Sequence, residues 1–131
     1  MQRETLTGIE RDIRKELIRL VKIGDINTLN VTYKALAEQF GLPYDEKDYN
    51  RNLFHEILGH ISEFEDTAGR PLLSVIVVRI EDGFPGKGFH TMAKQQKKQK
   101  PDEDNETFVV NERKKVFDWW KTHDDEAFTD E

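Results

Sequence analysis

The amino-acid sequence predicts an α+β fold. Three helical apolar stripes precede one continuous aliphatic and β-branched run, and a fourth helical stretch follows it. The chain has 131 residues, of which 36% are hydrophobic, enough for one modest core. The other large share, 35% charged residues, predicts a heavily solvated surface.

The first stripe is Ile9, Ile13, Leu17, Leu20 and Val21, spaced by threes and fours. It predicts a helix from about Ile9 to Ile23, closed by Gly24. The stretch Asp25 to Asn30 is rich in turn formers. Thr32 is a suitable cap for a short helix over Tyr33 to Phe40, because its hydroxyl can accept a first-turn N–H. Leu36, Ala37 and Phe40 would face inward. Gly41 and Pro43 end the helix.

After a polar loop, Asp48 or Asn50 could cap a third helix. Its buried stripe is Leu53, Ile57, Ile61, Phe64 and Ala68, with Leu58 alongside. Gly69 ends it, and Pro71 forces an extended exit. Leu72 to Ile80 then reads as a strand covered on both faces. Asp82-Gly83 signals a turn, continued by Phe84-Pro85-Gly86-Lys87-Gly88-Phe89, with a second short strand or a helix start near Phe89. The Lys/Gln run 94–100 and the acidic 101–106 read together as an exposed, mobile linker. Val109, Val110, Val116, Phe117 and Trp120 predict a final helix over roughly Asn111 to Thr122. The expected division is therefore a domain over 1–93, a linker over 94–106, a C-terminal helix within 107–123 packed on the same domain, and an acidic tail over 124–131.

Composition removes several chemistries. The chain has no cysteine, so disulfides, thiol nucleophiles and cysteine metal sites are absent. No apolar run approaches the roughly 18 residues of a membrane span. Met1 to Thr5 lacks the basic-then-apolar order of a signal peptide, so the expected compartment is the cytoplasm. The net charge of −6 disfavours polyanion binding by the whole surface, yet residues 71–100 carry six basic and two acidic groups.

Four patterns resemble catalytic or ligand sites and are read more simply. His55-Glu56 and His60 suggest a zinc helix, but the histidines are five apart. That rotates the second ring by roughly 140° and leaves a solvated polar face. Gly83, Gly86, Gly88 and Lys87 suggest a phosphate loop, but Pro85 removes an N–H and no Ser or Thr follows the lysine. Ser74 lacks the glycines of a nucleophile elbow. Trp119 and Trp120 read as one core ring and one half-exposed ring. No metal and no cofactor is expected.

The order of short helix, longer helix, strand and glycine-rich hairpin matches a winged helix. Val31-Thr32-Tyr33-Lys34-Ala35-Leu36-Ala37, followed by Gly41 and Pro43, resembles the DNA-binding domain of alkylguanine-DNA alkyltransferases and alkyltransferase-like proteins. Leu58-Gly59-His60-Ile61 resembles part of their recognition helix, and Pro71 with Val75 to Val78 and Gly83 to Gly88 resembles their strand and wing. The likeness spans about residues 28–90. The family's reactive Pro-Cys-His-Arg is Pro71-Leu72-Leu73-Ser74 here, so alkyl transfer is excluded. Its base-flipping arginine position holds Glu56, and Lys34 replaces a glycine. Segments around Gly69 to Ser74 and Pro85 to Phe89 also resemble uncharacterised bacterial and phage proteins.

The resemblance implies a winged-helix-like domain with an additional C-terminal helix, acting as a non-catalytic nucleic-acid-binding accessory or regulatory protein. Weak, sequence-tolerant phosphate contact is expected from Tyr33, Lys34, Arg51, Lys87, Lys97, Lys98 and Lys100. The alternative is a protein-interaction module, which the acidic third helix favours through Glu56, Glu63, Glu65 and Asp66. A weaker alternative is a small hydrolase-type enzyme using His55, His60 and Arg70.

Overall fold

In the computed structural model, residues 5–44 and 53–125 are described. They form five helices and one two-stranded parallel sheet. Helix α1 spans Gly8–Ile23. A capping box starts it: Thr7 Oγ1 accepts from the Glu10 N–H, and Glu10 Oε1 accepts from the Thr7 N–H at 2.8 Å. Ile13, Leu17, Ile18 and Val21 are buried, while Ile9 sits at the exposed edge of the stripe. Gly24 closes the helix with its N–H on the Leu20 carbonyl. A Cβ there would meet that same oxygen at 2.6 Å, so the close approach itself requires glycine.

Strand β1, Val31–Thr32, runs directly into α2, Tyr33–Gln39. Thr32 caps α2 by accepting from the Ala35 N–H. Gly41 follows at φ +69°, the left-handed conformation that ends helices. Helix α3 is Leu53–Thr67 and buries Phe54, Ile57, Leu58, Ile61 and Phe64. Its expected caps, Asp48 and Asn50, lie outside the described residues, and Leu53 is exposed rather than inward.

The expected strand over Leu72 to Ile80 is not what forms. Leu73–Ile76 is a 3₁₀ turn, and only Val77–Val78 is a strand, β2. It pairs in parallel with β1, Val31 opposite Val77 and Thr32 opposite Val78. The apolar run signals burial, and burial it has: residues 71–78 are all buried, and the 3₁₀ turn is packed by α1, α3 and the C-terminal helix. Helix α5 is Asn105–Thr122. Side chains meet backbone groups that a ladder would otherwise satisfy. The Leu72 N–H donates to Glu112 Oε2 at 2.7 Å and the Ser74 N–H to Ser62 Oγ at 3.1 Å.

No hairpin follows among the described residues. Residues 79–86 form a tight turn, in which the Arg79 N–H donates to the Phe84 carbonyl and Gly83 takes φ +71°. Helix α4, Lys87–Gln95, then occupies the place expected for the wing. The expected mobile linker is also corrected. Lys94 and Gln95 belong to α4, and Gln99 is only 1% exposed. Its amide donates to the Glu103 carbonyl and to Asn105 Oδ1, tying the 96–104 turn to the start of α5. Asp104 caps α5 by accepting from the Thr107 N–H. Trp120 enters the core and Trp119 stays half-buried, stacked on His123. Among the described residues, no helix is long and apolar enough to cross a membrane.

Candidate nucleic-acid interface

Parallel pairing of β1 and β2 dictates what sits beside what. The chains leave the sheet together, so Tyr33 and Arg79 emerge from adjacent ends. The Tyr33 hydroxyl accepts from the Gly86 N–H at 2.9 Å, which fixes the start of α4 against α2. Helical spacing then places Lys87, Thr91 and Lys94 on one exposed face of α4.

Two concavities meet at Arg79. The smaller, about 60 Å³, is lined by Lys34, Tyr33, Tyr44, Arg79 and the acidic Glu81. The larger, about 420 Å³, is lined by Arg79, Phe84, Lys87, His90, Lys94 and Asn105, and also by the acidic Asp82 and Glu106. Lys34, Lys87 and Lys94 make no ion pair with any described residue. Arg79 is held by Asp82 through a close charge-assisted contact. Asp82 also accepts from the Phe84 N–H; that bond and the guanidinium keep its carboxyl below the usual range.

The structure thus brings Lys34 and Lys87 together and adds Arg79 and Lys94, which the sequence reading missed. The recurrence of Lys87, Thr91 and Lys94 at i, i+4 and i+7 was the available signal. Tyr33 sits in the same region, but it is buried and its hydroxyl is engaged with Gly86. Lys97, Lys98 and Lys100 do not join this face. Lys98 reaches Asp66 at 3.6 Å and lines a separate groove with Trp119 and Pro71. Lys97 stands at φ 60° in the turn after α4, and the Lys100 N–H binds the Glu103 carboxylate. Arg51 lies outside the described residues.

The exposed side of α3 is acidic. Glu56, His60 and Glu63 line a cleft of about 240 Å³ with Tyr33, His55, Ser74 and Met92. His60 Nδ1 lies 2.6 Å from the buried Glu10 carboxylate, and Nε2 lies 3.8 Å from Glu56. The Ser74 hydroxyl is 2.6 Å from that of Ser62. His55 and His60 share the cleft, but Arg70 does not line it; its guanidinium binds Glu65. The described residues contain no cluster of three or more His, Asp or Glu arranged to hold a metal.

His55 packs against the rings of Tyr33 and Tyr44, and burial pushes its imidazole down from 6.5 to about 4. The unfolded chain takes up a proton near the higher value and the folded chain resists it. Stability is therefore complete above about pH 6.5 and falls as pH drops toward about 4. His55→Phe keeps a ring there and removes the titration. Urea melts at about pH 7 and about pH 5 should show the parent losing more stability than the variant between them. An equal loss would contradict the assignment.

Compared with models of protein families, with curated proteins and with solved structures, the chain matches none.

Proposed function

We propose that this chain is a non-catalytic nucleic-acid-binding accessory domain. In this reading α2 and α3 correspond to the two helices of a helix-turn-helix, and α4 stands where a winged helix would carry its hairpin. Phosphates are met by Lys34, Arg79, Lys87 and Lys94 rather than by the acidic α3. The observation that carries this reading is the convergence of these four cations around two adjoining concavities, three of them without an ion-pair partner among the described residues. Such contacts position a backbone without choosing a sequence. Fluorescence anisotropy with a labelled duplex at low salt tests it: saturable binding is expected, and no binding at ~100 μM protein overturns it.

A second reading, a protein-interaction module, is favoured by one feature. Half-buried Trp119 faces an open groove of about 420 Å³ with Gly69, Pro71, Lys98 and Lys115. Aromatic residues of this kind are enriched at protein contacts.

A further inference from the structure

We propose that the larger concavity holds one unpaired nucleotide of a single strand. This rests on the nucleic-acid reading above and deepens it. The deciding group is His90, which lines the concavity and is 8% exposed. Its Nδ1 lies 2.9 Å from Gln99 Oε1. The orientation of Gln99 is not free. Its amide nitrogen faces the Glu103 carbonyl, which can only accept, and Asn105 Oδ1. Oε1 is therefore the atom offered to His90, and Nδ1 must carry the proton that is shared with it. In the neutral ring Nε2 is then an acceptor. Nε2 has no hydrogen-bond partner among the described residues and is not sealed from solvent. A buried ring is thus locked in one tautomer with its acceptor left for a ligand donor.

The other walls specify the rest of that ligand. Asn105 Oδ1 is used by Gln99, so its amide N–H groups remain as donors. Phe84 is half-exposed beside Pro85, and both line the space. The 79–84 turn holds Phe84 through both of its backbone groups: its carbonyl accepts from the Arg79 N–H, and its N–H donates to the Asp82 carboxylate. Lys87 and Lys94 line the space with Arg79, whose charge is matched by Asp82, which leaves two lysines against Glu106. A flat ring with donors and acceptors, joined to a phosphate, satisfies all four elements. The volume falls within the usual range for a small-ligand site. A base paired in a duplex has its hydrogen-bonding edge occupied and its faces stacked, so it could not enter. A base in a single strand can, and stacking on an aromatic ring supplies affinity without sequence choice.

The test uses the whole chain with three probes at low salt: a short oligoadenylate single strand, a duplex containing it, and AMP. The single strand is expected to bind about tenfold more tightly than the duplex. It should also shift the His90 Nε2 resonance and the Phe84 ring signals in NMR spectra of the unaltered protein. Phe84→Ala should bring the single strand down to the duplex affinity. Because Phe84 also touches the core, the spectra of the unaltered chain decide if that variant fails to fold. Equal affinity for strand and duplex, with His90 and Phe84 unmoved, overturns this inference and leaves the contact face standing. AMP binding as tightly as the strand overturns the strand as the source of the nucleotide. If none of the probes binds, the proposed function itself falls.

Discussion

Replacing Glu65 with alanine is expected to lower the unfolding free energy by about 3–5 kcal/mol, because it breaks a buried ion-pair cluster from one side. Glu65 is fully buried and serves two guanidinium groups. Arg14 Nε donates to its Oε2 at 2.8 Å, and Arg70 donates from Nε at 2.9 Å and from Nη2 at 3.1 Å. Arg14 is 1% exposed and also binds the Asp125 carboxylate through Nη1 at 2.8 and 3.0 Å. The two arginines lie over the rings of Phe64 and Trp120, with distances of 5.3 to 6.0 Å to the ring centres. Removing the carboxylate leaves Arg70 with no anionic partner among the described residues, and it puts two cations side by side. Arg14 is sealed from water, whereas Arg70 is partly exposed. Chemical denaturation should show a lower midpoint with an unchanged slope. Glu65→Gln keeps the shape and should fall between the two. A loss below about 1 kcal/mol for Glu65→Ala would mean that the arginines relax to solvent. Asp125→Ala should cost less, since Asp125 is partly exposed and Arg14 keeps Glu65.

This cluster also marks the limit of what the sequence reveals. Apolar spacing predicted α1, α2 and α3 nearly to their ends, because a stripe, a Thr cap and a terminal glycine act within one or two turns. The same reading placed one ring of the Trp119-Trp120 pair in the core. It misjudged Leu72 to Ile80, since a continuous apolar run reports burial and not the backbone path taken inside. Whether that path is a strand depends on Ser62 and Glu112, whose oxygens meet its N–H groups from 12 and 40 residues away. Nothing local distinguishes Glu65 from Glu63, or Gln99 from Gln95 and Gln96. Each is buried because of distant or turn-specific partners. The candidate interface was half legible for the same reason. Lys34 follows from the winged-helix resemblance and Lys87 from the basic glycine-rich stretch, whereas Arg79 joins them only through the β1–β2 pairing. Lys98, equally basic, is turned to Asp66.

That division between lysines provides the sharpest functional expectation. Lys87→Glu should weaken binding to every nucleic-acid sequence and flatten the slope of log K against log salt by about one unit for duplex DNA. Lys87 is the first residue of α4 and is exposed, so the change removes little packing. A carboxylate also suits a helix N-terminus, where it faces the positive end of the dipole. Thr91 Oγ1 donates to the Lys87 backbone carbonyl, a bond that any side chain at that position retains. The fold should therefore stand while the rim of the concavity changes sign locally. Lys98→Glu is the matched comparison. It alters charge by the same amount in the separate groove lined by Gly69, Pro71 and Trp119, where Lys98 already faces Asp66. If binding runs along the α4 face, Lys98→Glu should leave the salt slope nearly unchanged, with only the small shift that a screened distant charge produces. Anisotropy titrations of the two variants over a range of salt concentrations decide the matter. Equal flattening by both would mean that attraction is diffuse and that Lys34, Arg79, Lys87 and Lys94 form no particular site.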